Sequence, residues 1–84
     1  MKVRYFAWIR QKVGVAEEEV SPPADVRTIQ DLLDWLARTS PRHAEAFSEA
    51  KVFGAALDQA IMPLDTPIGA AREVAFFPPF TGGL

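Results

Sequence analysis

The chain contains no cysteine among its 84 residues. Disulfide bridges, thiolate metal sites and thiol nucleophiles all require cysteine, so this sequence can form none of them. Histidine occurs only once, at His43. Because no second ligand or nucleophile lies near it in the sequence, His43, close to Arg42 and Glu45, is predicted to be an exposed helix residue. We expect it to bind no metal and to act as no general base.

The sequence also lacks a run of basic residues and a long apolar run. Nine Lys and Arg residues against eleven Asp and Glu residues give a net charge of −2. A nucleic-acid partner is not expected, because binding to phosphates requires clustered cations. No stretch approaches the roughly 18 apolar residues of a membrane span, and the first residues do not have the pattern of a signal peptide. We therefore expect a cytoplasmic protein with no membrane partner.

The length of the chain permits one domain with one thin core. A chain of this size buries only about 60% of the surface that its unfolded form exposes, which leaves no room for a deep active-site cavity. The sequence also offers no nucleophile–base pair, no glycine-rich phosphate loop and no metal-ligand spacing. We therefore expect no enzymatic activity from this chain alone.

The N-terminal residues predict a β-hairpin. Period-two alternation predicts a strand over residues 2–10, with four side chains on one face: Val3, Tyr5, Ala7 and Ile9. The other face carries Phe6 and Trp8 among cations, which indicates either a covered second face or an exposed aromatic patch. After a turn over residues 11–16, residues 17–20 are predicted to return as a strand. Their three glutamates are interpreted as a solvated edge that resists pairing with other chains.

The central part of the sequence predicts two helices. The first begins at Thr28, whose hydroxyl can cap free N–H groups, and Asp31 supplies a carboxylate for the first turn. Its apolar residues recur at helical spacing and form one stripe: Ile29, Leu32, Leu33 and Leu36. A second, short helix is predicted over residues 41–48, with Ala44 and Phe47 on its buried side. In a protein this small, the stripe must pack against a sheet.

Three further strands are predicted, at residues 52–57, 60–62 and 73–77, with a turn at Asp58-Gln59. The order of elements predicts an α+β protein with a mixed sheet of about five strands packed on one main helix plus a short helix. This order resembles the β-grasp, or ubiquitin-like, fold, whose first and last strands are parallel neighbours in the centre of the sheet.

The C-terminal residues predict a narrow, flexible tail. Gly82 and Gly83 carry no side chains and have wide backbone freedom, and such an end alone is more often a frayed terminus than a functional element. We predict a folded β-grasp domain over residues 1–80 and a flexible Gly-Gly tail over residues 81–84. Such a tail could enter a tunnel that any Cβ would obstruct, and Pro78-Pro79 before it limits the conformations lost on insertion.

Two segments resemble the small subunit of molybdopterin synthase, the MoaD-type sulfur carrier: residues 3–10, followed by a Val-Gly turn, and residues 73–79, followed by Thr81-Gly82-Gly83. The resemblance covers the whole chain. It implies a carrier that has no catalytic side chain and binds no cofactor. An ATP-dependent adenylating enzyme (MoeB-type) would activate the carboxylate of Gly83 as an acyl-adenylate, and sulfur would replace AMP to give a thiocarboxylate. The ATP is used by that partner.

The same resemblance implies a second partner, the large synthase subunit (MoaE-type), with which the carrier forms a heterotetramer. That subunit accepts the tail, from Thr81 to Gly83, and transfers two sulfurs to cyclic pyranopterin monophosphate. By position in the family, Phe6, Ile61 and Phe77 match a hydrophobic contact surface, and Arg10 could contribute an ion pair at the rim of that surface. The resemblance places Phe6 near Phe77 on the face opposite the helix. From periodicity alone, Ile61 and Phe77 could equally be ordinary core residues.

Leu84 departs from the family pattern, in which the second glycine is the last residue. It moves the carboxylate to a different atom and adds a branched side chain, so the chain ending at Leu84 is not expected to be adenylated. We favour a remnant of an expression tag, because the match runs uninterrupted up to Gly83. The other interpretations are removal by a protease and loss of the carrier reaction.

Two other functions remain open at this point. One is a sulfur carrier of another pathway, of the thiamine type, although those carriers are usually shorter and lack the Phe-Phe-Pro-Pro spacer at residues 76–79. The other is a ubiquitin-like binding or protein-modifier module, which would form isopeptide conjugates.

Overall fold

The computed structural model describes residues 1–48 and 54–78. Five strands are present in this part of the chain: β1 Lys2–Tyr5, β2 Glu17–Glu19, β3 Gly54–Leu57, β4 Ala60–Met62 and β5 Glu73–Phe77. Three helices accompany them: α1 Ala7–Val13, α2 Ile29–Thr39 and α3 Pro41–Ser48. The predicted residues Val52 and Phe53 of the third strand lie outside the described residues.

The strands form one mixed sheet in the order β2-β1-β5-β3-β4. The central pair, β1 and β5, is parallel, in a register from Lys2↔Glu73 to Tyr5↔Phe76. The remaining neighbours are antiparallel. This topology confirms the predicted α+β architecture, with the first and last strands side by side in the centre of the sheet.

The helices cover one face of this sheet. Alternate residues of the two central strands are buried there: Val3, Tyr5, Val74 and Phe76. The predicted stripe of α2 is buried in the same cluster: Ile29, Leu32, Leu33 and Leu36. Full burial of a side chain of this size contributes about 1.5–3 kcal/mol, so this layer is the main source of stability.

The predicted start of α2 is confirmed in detail. Thr28 Oγ1 accepts a hydrogen bond from the Asp31 backbone N–H at 3.1 Å. Asp31 Oδ2 in turn accepts from the backbone N–H groups of Arg27, at 3.1 Å, and Thr28, at 3.2 Å. These backbone hydrogen bonds lower the pKa of Asp31, and the bond from Arg27 has the largest effect. The pair is a capping box, which satisfies N–H groups that the helix itself cannot.

The predicted strand over residues 2–10 is wrong beyond Tyr5. The chain turns at Ala7, whose φ of 54° lies in the left-handed region, and then forms α1. In that helix Ile9 and Val13, four residues apart, are buried. Gly14 ends it with φ 97° and donates its N–H to the Arg10 carbonyl at 2.8 Å. The alternation was misleading because Ile9 faces the core in both a strand and this helix.

Two smaller predictions also need correction. Trp8, predicted beside Phe6, is instead partly buried and packs against the core. In α3 the buried residues are Ala46 and Phe47, whereas Ala44 is only half-buried. In the described part of the chain, no helix combines the length and apolar character needed to cross a membrane.

Candidate functional site

Three of the predicted contact residues, Phe6, Ile61 and Phe77, lie on the face of the sheet opposite the helices, which we call the open face. One row of this face crosses the sheet in register: Ile61 pairs with Ala56, Ala56 with Ala75, and Ala75 with Arg4. Since strand side chains alternate between faces, Phe77, two residues after Ala75, lies on the same face.

Large apolar side chains border the open face and are partly or largely exposed. Ile61 is 72% exposed and Phe6 is 40% exposed, while Phe77 is half-buried. Ile61 is therefore not a core residue, and Phe77 faces away from the helix-side core. The alternative that both are ordinary core is thus removed, although a role in binding a partner stays a prediction.

The centre of the open face is built from small residues. Ala56 and Ala75 are there, 8% and 7% exposed. Gly54 pairs directly with Phe77 across β3 and β5, and the Phe77 ring lies against it, where a Cβ would stand. The result is a shallow apolar floor with higher borders.

Phe6 is held at the edge of this face by its backbone and by Arg4. Its N–H donates to the Phe76 carbonyl at 3.1 Å, so it stays attached to β5 after β1 has ended. The Arg4 guanidinium lies 5.3 Å from the centre of the Phe6 ring, a cation–π contact. Arg4 also lies within 4.0 Å of Glu17 and 3.9 Å of Glu73.

The turn at Ala7 places Phe6 and Arg10 together. A non-glycine residue in the left-handed region costs about 1–2 kcal/mol, and such strain is often found at functional positions. Because the chain turns at Ala7, Phe6 is the residue just before the first turn of α1. Arg10 is exposed one turn later, and its N–H lies 3.4 Å from the Phe6 carbonyl. The predicted rim residue is therefore near Phe6, although on a helix and not on a strand.

The last described strand ends at the open face. β5 ends at Phe77, and the described residues end at Pro78. The predicted reactive residues Thr81, Gly82 and Gly83, with Leu84, lie outside the described residues. Six residues follow Pro78, and an extended segment of that length spans at most about 20 Å.

Sequence comparison shows which family has this arrangement. The family model of the ThiS family matches residues 3–83. The chain belongs to the ThiS family. It is 41% identical over 83 residues to the molybdopterin synthase sulfur carrier subunit of Escherichia coli (strain K12), covering 99% of both chains. It is 32% identical over 83 residues to the subunit of the same name from Haemophilus influenzae, again covering 99% of both.

Solved structures agree with this membership. A protein from Pyrococcus furiosus, proposed to be subunit 1 of a molybdopterin converting factor, is 29% identical with a TM-score of 0.73, over 94% of this chain and 95% of that chain. SAMP1 from Haloferax volcanii has a TM-score of 0.74 over 99% of this chain and 98% of that chain. At 23% identity, this second likeness shows the fold alone. The β-grasp fold and the resemblance to molybdopterin synthase sulfur carriers are confirmed.

On the helix side, this ThiS-family chain has a partly buried polar cluster, Tyr5, Glu18, Ser40 and His43, that the sequence did not predict. The Glu18 carboxylate accepts hydrogen bonds from the Tyr5 hydroxyl and from His43 Nε2, both at 2.6 Å. Ser40 Oγ lies 2.6 Å from His43 Nδ1 and accepts the His43 backbone N–H at 3.1 Å. The rings of Tyr5 and His43 stand edge to face at 5.9 Å.

Two predictions are wrong at this cluster. The His43 side chain is only 12% exposed, and Glu18 is half-buried and not part of a solvated face. The physical reason is register, since Glu18 pairs with Val3 and so faces the helix side. Burial acts to raise the pKa of Glu18, but the hydrogen bonds from Tyr5 and His43 outweigh it and lower that pKa. Burial, together with Glu18, raises the pKa of Tyr5.

Proposed function

We propose that this chain is the sulfur carrier of a molybdopterin synthase and acts in molybdenum cofactor biosynthesis in the cytoplasm. The observation that carries the proposal is the 41% identity to such a subunit over nearly the full length of both chains. The structure supports it in a second way. An apolar open face lies at the point where β5 ends, so a partner bound there would have the tail within reach.

The chemistry takes place at the end of the tail. In an adenylating partner, the carboxylate of Gly83 attacks the α-phosphate of ATP, and pyrophosphate leaves. A donor at the oxidation level of sulfide then attacks the acyl carbon, the bond from that carbon to the phosphate oxygen breaks, and AMP leaves, so that Gly83 carries a thiocarboxylate. The large synthase subunit finally transfers this sulfur to cyclic pyranopterin monophosphate, and hydrolysis regenerates the carboxylate. Every step requires that Leu84 is absent, because the reacting carboxylate must be that of Gly83.

The contribution of the folded domain is binding. Phe6, Ile61 and Phe77 would be covered by the large subunit, with Arg10 at the rim of the contact. Burial of an exposed Phe contributes about 1.5–3 kcal/mol, so these side chains can supply much of a modest interface. Gly82 and Gly83, having no Cβ, fit a narrow channel into the partner's active site.

The test compares two chains, one ending at Gly83 and one ending at Leu84. Each is incubated with the adenylating enzyme, ATP and a sulfur donor, and its intact mass is measured. We expect one oxygen-to-sulfur exchange on the chain ending at Gly83 and none on the other. No exchange on the shorter chain, or an exchange on the longer one, would contradict the proposed chemistry.

The acceptor distinguishes this function from a thiamine-type carrier. The thiocarboxylated chain is mixed with the large synthase subunit from the same organism and cyclic pyranopterin monophosphate. We expect molybdopterin to form and the thiocarboxylate to be consumed. A thiocarboxylate that persists in this mixture would indicate a different pathway.

A further inference from the structure

The contact between Gly54 and Phe77 shapes the open face where β3 begins and β5 ends. These residues are directly opposed in the antiparallel pair of β3 and β5. A Cβ built on Gly54 would overlap three atoms of the Phe77 ring, Cδ1, Cε1 and Cζ. The ring therefore occupies the space that a side chain at position 54 would need.

The backbone of Gly54 gives no other reason for glycine. Gly14 and Gly69 have φ values of 97° and 50°, which disfavour other residues, whereas Gly54 is not among the residues with positive φ. Glycine in a strand is unfavourable by propensity, and it often marks a close approach of another group. Here the approaching group is the Phe77 ring, and an aromatic ring across from a strand glycine also covers its bare backbone.

We propose that Gly54 is a positioning residue for partner docking, because it lets the Phe77 ring lie low on the open face at the base of the tail. Any Cβ at position 54 would push the ring outward or sideways. The ring would then stand at a different height from the surface formed by Phe6 and Ile61. Well-packed interfaces match the density of protein interiors, so a displaced Phe77 ring would open a gap or create a clash between the open face and its partner.

This inference rests on the proposed function, since it concerns docking to the large synthase subunit. It makes a prediction that a merely structural role for Gly54 would not. By strand propensity alone, Gly54→Ala should be neutral or stabilising. A loss of affinity without a loss of stability is therefore the signature of positioning.

The experiment measures the affinity of the large subunit for four chains ending at Gly83, by isothermal titration calorimetry: wild type, Gly54→Ala, Phe77→Ala and the double variant. We expect Gly54→Ala to raise Kd by about tenfold, which corresponds to 1.4 kcal/mol, with an unchanged or higher Tm. In the Phe77→Ala background, Gly54→Ala should have almost no further effect, because the ring on which it acts is absent.

Gly69→Ala is the matched control. Its added Cβ has no atom within 4 Å, but its φ of 50° strains any side chain. We expect it to lower Tm and to leave Kd unchanged, which is the reverse of the pattern at Gly54.

A partner-free measurement checks the geometry. In wild type, the Phe77 ring should shift the Gly54 Hα resonances upfield, and Phe77→Leu should remove that shift. Wild-type affinity in Gly54→Ala, or an equal loss of affinity in both backgrounds, would overturn the inference while the proposed function stands. Failure of the wild type to bind the large subunit would instead overturn the proposed function, and this inference with it.

Discussion

Neighbouring residues of the chain lie on opposite faces of the sheet and differ in burial. Tyr5 and Phe76 are 1% and 0% exposed on the helix side. The residues that follow them, Phe6 and Phe77, lie on the open face and retain exposed surface. On the helix side, large apolar side chains pack together and the polar groups of the partly buried cluster are paired. The open face has small residues at its centre and large apolar ones at its border.

This difference separates a surface that the chain itself completes from one that stays partly exposed, which we propose a partner covers. Tight packing and satisfied hydrogen bonds make the helix side sensitive to any loss of volume or of a polar partner. The open face loses little of its own packing when an exposed ring is truncated. A substitution on one face should therefore change stability, and one on the other should change binding.

The largest effect is expected from Phe76→Ala. The Phe76 ring is fully buried and stands edge to face against the Phe47 ring, with 5.6 Å between ring centres. Its removal leaves a cavity, so the free energy of unfolding should fall by about 3–5 kcal/mol, as measured by urea unfolding. Phe77→Ala, one residue later, should lose no more than about 1 kcal/mol. Equal losses in the two variants would show that the faces do not differ in this way.

A smaller effect, in affinity, is expected from Phe6→Ala. The 40% of this side chain that is exposed would be buried against the large synthase subunit, a contribution of about 1 kcal/mol, so Kd should rise by about fivefold. The free energy of unfolding should change by no more than about 1 kcal/mol. Calorimetry with the large subunit and thermal unfolding measure the two quantities.

Val15→Ala is the control for that comparison. Val15 is also a large exposed apolar residue, 45% exposed, but it lies between α1 and β2 and not on the open face. Its truncation should leave Kd unchanged. A large fall in Tm for Phe6→Ala, with unchanged affinity, would assign Phe6 to the core and contradict the division between faces.

Local signals in the sequence predicted most of the fold. The capping box at Thr28 and Asp31 involves residues three apart, and the α2 stripe repeats with the period of one helix, so both could be read directly. Strand alternation left Ile61 and Phe77 as either core or surface residues. The register between β3, β4 and β5 decides between the two, and before the structure only the resemblance to a known family indicated a contact surface.

What the sequence did not predict depends on contacts between distant residues. His43 and Glu18 are 25 positions apart, and nothing near either one indicates that they meet. Three successive glutamates look like a solvated run until the pairing of Glu18 with Val3 turns the middle one inward. The helix α1 was not predicted for a different reason. Positive φ is expected mainly at glycine or asparagine, and here it occurs at Ala7.

The smallest effect is expected in the acid dependence of stability, through Glu18. Because the hydrogen bonds from Tyr5 and His43 hold its pKa below the ordinary value in the folded chain, ionised Glu18 stabilises the fold above its unfolded pKa. That contribution is lost as the pH falls through the folded pKa. Glu18→Gln should therefore flatten the decline in unfolding free energy between about pH 5 and pH 3, by on the order of 1 kcal/mol.

Glu17→Gln tests whether that effect belongs to the helix side. Glu17 is the preceding residue of the same strand, and its exposed carboxylate lies 3.4 Å from Lys2 and 4.0 Å from Arg4. Exposed ion pairs of this kind contribute little to stability. Urea unfolding at a series of pH values should give Glu17→Gln the acid profile of the wild type, while Glu18→Gln differs. If the two variants gave the same profile, the partly buried cluster would have no special part in acid stability, because the two carboxylates differ mainly in the face to which the strand directs them.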